Sequence, residues 1–165
     1  MPLLATAAAD KLQSTRGYDS FEEGRLPIVR HLIFGSRDRC PGPLYRAQTI
    51  AVERWGEAIG LPVAHYITAL LSALLEVRSD GFQTRDPCPL ETRGTATQDE
   101  ALVLTLIHQM RRDQTPKARE TVLRLSAGTM DPDVIRAGLS CAARFPAGNG
   151  LAFTRTAPPR LQVVG

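Results

Sequence analysis

The sequence predicts an all-α fold, a compact bundle of about six helices with a disordered amino-terminal tail and an irregular carboxyl-terminal tail. Three observations support this prediction: apolar residues recur at three- and four-residue steps, helix-capping residues precede several of these stretches, and strand patterns are scarce. The length of 165 residues, with 43% hydrophobic and 22% charged residues, is that of one globular domain with a substantial core.

The chain is predicted to consist of a flexible tail at 1–18, a single helical domain at 19–150 and an irregular tail at 151–165. Within the domain, the subregions 19–78 and 95–146 are predicted to be joined by a loop at 79–94. The first tail is rich in alanine and then polar, so it has too few large apolar side chains to hold it against a core. The interior loop contains Asp80-Gly81 and two prolines around Cys88, which favour turns. In the last tail, residues 161–164 could extend, but no strand is predicted to pair with them.

The first predicted helix is short. Ser20-Phe21-Glu22-Glu23 has the spacing of a capping box, but Gly24 follows at once, so the helix is predicted to begin with Pro27 in its first turn and to end near Gly35. Arg37 to Pro43 then breaks the backbone, because two prolines around a glycine cannot continue a helix.

Two longer helices are predicted next. Apolar residues from Leu44 to Ile59 follow a helical period, and Gly60-Leu61-Pro62 is predicted to close this helix and start another, from Val63 to about Arg78. The second of the two is apolar on most sides, which is typical of the buried centre of a domain. Its longest apolar stretch is well short of the roughly 18 residues that a spanning helix needs, so we expect no membrane span.

The second half of the domain is predicted to hold three helices with antiparallel neighbours. Thr97 to Glu100 is a second capping box, and Thr115-Pro116 and Asp131-Pro132 are further helix starts. The residues predicted to be buried together are Trp55, Ile67, Leu70, Leu71, Leu74, Leu106 and Met110.

The net charge is small, +3, but its distribution is uneven. Eighteen of the 20 basic residues are arginine, which we interpret first as the imprint of a GC-rich genome and a bacterial source. Arginine is also the better bidentate partner for phosphate and carboxylate groups. The predicted candidate interaction patch consists of Arg25, Arg30, Arg37, Arg39, Arg46 and Arg54.

Motifs for enzyme chemistry are absent from the sequence. It contains no GxxxxGK[ST], no strand leading into GxGxxG, no HExxH and no GxSxG, so we expect no enzyme activity and no cofactor. The three histidines occur singly in three predicted helices. Three cysteines in 165 residues suit a reducing compartment, and the amino terminus lacks the pattern of a secretory signal, so a cytoplasmic location is predicted.

Cys40 and Cys88 both lie beside proline in predicted loops. No second thiol is near either in sequence, whereas a structural zinc site usually has closely spaced cysteine pairs, so we expect both to be reduced and metal-free. The alternative is a redox or metal site that these cysteines form with the histidines, which would make the protein an enzyme or a metalloprotein.

The helix, Gly60-Leu61-Pro62, helix arrangement has the turn of a helix-turn-helix motif. Its second helix, however, is mainly Leu, Ala and Ile, and a recognition helix must present polar groups to base edges. The arginines precede it, where they would contact phosphates without reading sequence.

These observations predict a small helical regulatory or adaptor protein that acts by binding a macromolecule, most simply another protein, and that does not act on membranes. The alternative is a DNA- or RNA-binding transcriptional regulator that uses the arginine-rich region 25–54.

Overall fold

The computed structural model describes residues 17–38, 41–92 and 95–148, with the side chains of Asp38 and Pro41 left aside. Its α-helices are α1 (Ser20–Glu23), α2 (Leu26–Asp38), α3 (Pro41–Trp55), α4 (Glu57–Val77), α5 (Gln98–Arg111), α6 (Thr115–Leu125) and α7 (Pro132–Arg144), with a 3-10 turn at Leu90–Thr92. The described ranges contain no strand, so the predicted all-α class is confirmed. The predictions for residues 1–16 and 149–165 lie outside these ranges.

The boundary between α3 and α4 differs from the prediction. Gly60-Leu61-Pro62 lies inside α4, and the chain turns instead at Gly56, whose φ of +75° is in the region that favours glycine. Gly60 serves packing, because a Cβ atom there would lie 2.5 Å from the carbonyl carbon of Ala51. The predicted helix-turn-helix turn is therefore wrong, since its three residues are helical.

Helix α2 also exceeds its predicted length. It begins at Leu26 and continues through Gly35 to Asp38. The short helix α1 has Asp19 as its N-cap, where Ser20 was predicted: the Asp19 carboxylate accepts from the Glu22 N–H at 2.8 Å, and the Glu22 carboxylate accepts from the Asp19 N–H at 3.0 Å.

Helix α4 is the central helix of the fold. It packs against α2, α3 and α7, and it buries Val63, Ile67, Leu70 and Leu74 completely. Because the predicted break at Gly60 does not occur, α4 is one helix of 21 residues, long and apolar enough by length and composition to cross a membrane. It packs among three other helices, and 39% of its most apolar 18-residue stretch is buried, whereas the core helix of a soluble protein that passes the same test is mostly buried. The expectation of no membrane span therefore stays a prediction.

The starts of α5 and α7 agree with the prediction. Thr97 and Glu100 form the predicted capping box, and the Asp131 side chain accepts from the N–H groups of Asp133 and Val134. Helix α6 differs slightly, because Thr115 is its first helical residue and Gln114 is its N-cap, with no side-chain hydrogen bond.

One hydrophobic cluster joins both halves of the domain. It includes buried residues from α2 to α7, and contacts between α4 and α7 and between α2 and α5 cross the predicted subregions. Of the seven residues predicted to be buried together, Ile67, Leu70, Leu71, Leu74 and Leu106 are fully buried, whereas Trp55 and Met110 are half-buried at the edge of the cluster.

Candidate functional site

The predicted arginine patch is divided between the core and the surface. Arg25 is 0% exposed and Arg30 is 2% exposed, so neither belongs to a solvent-facing patch. Arg37, Arg46 and Arg54 are exposed, and Arg37 donates to the Phe82 carbonyl at 2.6 Å. Arg39 lies outside the described residues.

Arg30 is the partner of Glu100. Its guanidinium makes two hydrogen bonds to the Glu100 carboxylate, at 3.0 and 2.9 Å, and it also donates to the carbonyls of Thr92 and Thr95. Glu100 accepts as well from Thr84 at 2.6 Å and from the Arg85 N–H at 3.2 Å. Burial by itself would raise the pKa of Glu100, but hydrogen bonds and the charge of Arg30 hold it below its usual value. Through these hydrogen bonds, the Arg30–Glu100 pair connects the interior loop to the first turn of α5.

Arg25 is buried without such a partner. None of its three guanidinium nitrogens has a hydrogen-bond partner among the described residues. The guanidinium carbon lies 4.1 Å from the centre of the Phe21 ring and 5.6 Å from that of Phe145, so aromatic faces are its main contacts. Burial lowers the pKa of Arg25 to about 10.

Among the described residues between 25 and 54, Arg37, Arg46 and Arg54 are exposed, and the one exposed acidic side chain is that of Glu53. The excess of arginine in this region therefore remains at the surface, but it is smaller than the sequence indicates, because two of its arginines are buried.

Helix α6 also carries exposed positive charge. Lys117, Arg119 and Arg124 are exposed there, with Glu120 as the one exposed acid of this helix. The spacing of these residues places Lys117 and Arg124 on one side of α6 and Arg119 on another, and a cavity lies on each of these sides.

The first cavity is an apolar groove of about 250 Å³ between the end of α5, α6 and α7. Its apolar lining consists of Met110, Ala118, Val122, Met130, Ile135 and Leu139. Leu139 is 51% exposed although it lines the groove. Asp113 and Arg119 stand at the rim, and neither forms an ion pair within the described residues. Met110 is the one apolar residue of this lining that was predicted to belong to the core, and no groove was predicted here.

The second cavity is a polar cleft of about 400 Å³ between α5, α6 and Tyr18. His108 lines it, and the Nδ1 atom of its ring lies 2.9 Å from the carboxylate of Glu22. Glu22 is only 1% exposed and also accepts from Arg111 at 2.5 Å and from Arg112. Short helix α1 is thus fastened to the end of α5 by charge-assisted hydrogen bonds.

The two cysteines within the described residues, Cys88 and Cys141, are free thiols. Cys88 is exposed, and Cys141 is buried in α7, where burial raises the pKa of its thiol. Cys40 lies outside the described residues, so its relation to Cys88 stays a prediction. Among 17–38, 41–92 and 95–148, no three His, Cys, Asp or Glu side chains are arranged to hold a metal ion.

Comparison with known proteins adds no relative, because the chain matches no protein-family model, no curated protein and no solved structure.

Proposed function

We propose that the protein is a small adaptor or regulatory protein that acts by binding another protein, and that the apolar groove receives an amphipathic helix of that partner. The observation that carries the proposal is the groove itself. Leu139 is 51% exposed, and Met110, Met130 and Ile135 are half-buried beside it, so these four side chains give the groove an apolar surface that solvent reaches. Apolar surface that stays open in this way favours a binding role.

The lining of the groove supports a helical partner. Met110 and Met130 have flexible thioether side chains that can adapt to the shape of an inserted residue. A volume of about 250 Å³ suits one or two large apolar side chains, which is how a partner helix anchors in a groove. The partner is expected to insert apolar residues spaced by three or four positions.

Charges of both signs stand beside the groove. Arg119 and Asp113 line it, and neither forms an ion pair within the described residues. Lys117 and Arg124 face the other side of α6, so they do not add to the charge of the groove. An acidic and a basic residue beside the apolar anchors of the partner helix would complement Arg119 and Asp113 and speed association.

The test is a selection from a displayed library of random peptides of about 16 residues on the immobilised full chain. Enriched peptides are expected to show apolar residues at helical spacing, flanked by charged residues of both signs. Replacing Leu139 by Asp, which places a charge in the groove, is expected to weaken their binding about tenfold or more. The matched control is Leu90→Asp, because Leu90 is 70% exposed and lies in the 3-10 turn away from the groove.

The opposite results would overturn the proposal. These are no enrichment, enrichment of aperiodic peptides, or equal binding by the Leu139→Asp variant. The nucleic-acid alternative stays a prediction. Tight, salt-sensitive binding of duplex DNA that is lost in an Arg46→Glu, Arg54→Glu variant would replace the proposal with that alternative.

A further inference from the structure

The polar cleft lies on the other side of α6 from the groove, and the proposed function makes no use of it. Its volume of about 400 Å³ falls in the range of small-molecule sites, about 300 to 1,000 Å³. Two adjacent helix faces supply most of its lining: Thr105, His108 and Gln109 from α5, and Lys117, Glu120, Thr121 and Arg124 from α6. Hydroxyl, amide and charged groups therefore face a common space.

His108 is held in a fixed orientation in this cleft. Its Nδ1 atom lies 2.9 Å from an oxygen of Glu22, which is buried and already paired with Arg111. An ionised carboxylate only accepts hydrogen bonds, so Nδ1 carries a proton and donates to Glu22. The remaining polar atom of the ring, Nε2, has no hydrogen-bond partner among the described residues and is not a buried unsatisfied atom. It is available to a ligand.

Lys117 and Arg124 supply positive charge to the same space. They are two helical turns apart on one side of α6, both line the cleft, and neither forms an ion pair in the described part of the chain. Glu120 lies between them and reduces the net charge of the wall to +1 when His108 is neutral. Tyr18 closes the far side, where its hydroxyl lies 2.8 Å from that of Thr105.

We propose that this cleft binds the phosphate group of a small phosphate monoester. The two negative charges of a phosphate dianion can pair with both Lys117 and Arg124, which lie on one side of the cleft. A single carboxylate has one negative charge and would leave one of these two cations without a partner. The monoanion of a phosphate monoester has one P–OH group, which can donate a hydrogen bond to Nε2 of His108, whereas the dianion accepts one from Nε2 when that atom carries a proton. The cleft is large enough to hold an organic group beside the phosphate.

The test is a titration of the full chain with phenyl phosphate and inorganic phosphate, followed by isothermal titration calorimetry for every variant and, where His108 is present, by the NMR signals of its ring. Sodium acetate at the same ionic strength is the reference. Saturable shifts are expected with both phosphates, with phenyl phosphate the tighter ligand, and no saturation is expected with acetate. Each of the variants Lys117→Gln, Arg124→Gln and His108→Gln is expected to weaken phenyl phosphate binding about tenfold, as for the loss of one charge-assisted hydrogen bond.

The matched control is Arg119→Gln, which removes the same charge from the same helix on its groove side. This variant and Leu139→Asp are expected to leave phosphate binding unchanged, and circular dichroism verifies that each variant folds. Binding that falls equally in Arg119→Gln and Arg124→Gln would reflect general attraction to a basic helix and would overturn the proposal. Absence of saturable shifts, or unchanged binding by His108→Gln, would overturn it too.

Discussion

Arg25 and Arg30 lie little more than one helical turn apart and are both buried, yet their environments are opposite. Arg30 has the Glu100 carboxylate and two backbone carbonyls as partners. Arg25 has the faces of Phe21 and Phe145 and no hydrogen-bond acceptor in the described residues. A paired buried arginine can organise the chain around it, whereas an unpaired one carries the cost of losing its hydration.

The surroundings of Arg25 show why it lacks a partner. The nearby carboxylates are Asp19 and Glu22, and the guanidinium groups of Arg111 and Arg112 already occupy them. Three arginines, Arg25 included, therefore lie near two carboxylates, so one positive charge in this region has no counter-charge. Near Arg30, by contrast, one cation meets one buried anion.

The largest expected effect comes from breaking the paired arginine. Arg30→Met should lower the free energy of unfolding by about 3 to 5 kcal/mol, because Glu100 would stay buried without its counter-charge. Urea denaturation followed by circular dichroism measures this change. Arg136→Met removes an exposed arginine paired with Asp133 and should have little effect. A loss for Arg30→Met as small as that of this control would contradict the prediction.

A smaller effect of opposite sign is expected at the unpaired arginine. Arg25→Met removes a buried charge and keeps an unbranched apolar side chain, so stability should stay unchanged or rise by up to about 2 kcal/mol. The gain is limited because the cation–π contact with Phe21 is lost as well. The same urea titration measures it. If Arg25→Met destabilised the protein as much as Arg30→Met, the contrast between the two arginines would be wrong.

The smallest expected effect is the pH dependence of the stability that the Arg30–Glu100 pair provides. The folded pKa of Glu100 is lowered from its ordinary value of 4.5, so its pairing stabilises the protein above that pH and is lost as pH falls through the folded pKa. In Arg30→Met the carboxyl lacks its cation, and protonation then relieves the buried charge. The stability difference between the parent and Arg30→Met should therefore shrink below about pH 4.5. Urea titrations at pH 7 and at acidic pH test this, and a constant difference would contradict it.

The helices that the sequence predicted well are those whose ends depend on local chemistry. The capping box of Thr97 and the Asp131 cap need only residues three positions apart, so sequence spacing identifies them. Gly56 and Gly60 show the limit of that reasoning. Both are glycines near the end of an apolar stretch, but one supplies a positive φ and the other a close approach to Ala51, and only the fold distinguishes them.

Two members of the predicted arginine patch, Arg25 and Arg30, are buried, and sequence spacing does not show this. The burial of Arg30 depends on Glu100, which lies 70 positions away. One local signal was present: Leu26, Val29 and Ile33 are buried on the face of α2 that also holds Arg30. The groove and the cleft were beyond prediction, because both depend on how α5 and α6 pack.

The close contact at Gly60 has a consequence for the order in which the chain can gain structure. Helices α3 and α4 are joined by Gly56 alone, and they meet through the buried small residues Ala47, Ala51, Gly60 and Ala64. Closing so short a connection costs little chain entropy, and glycine and alanine have no side-chain rotamers to lose on packing. This hairpin therefore depends less than the long-range contacts of α2 and α5 on the rest of the domain being in place.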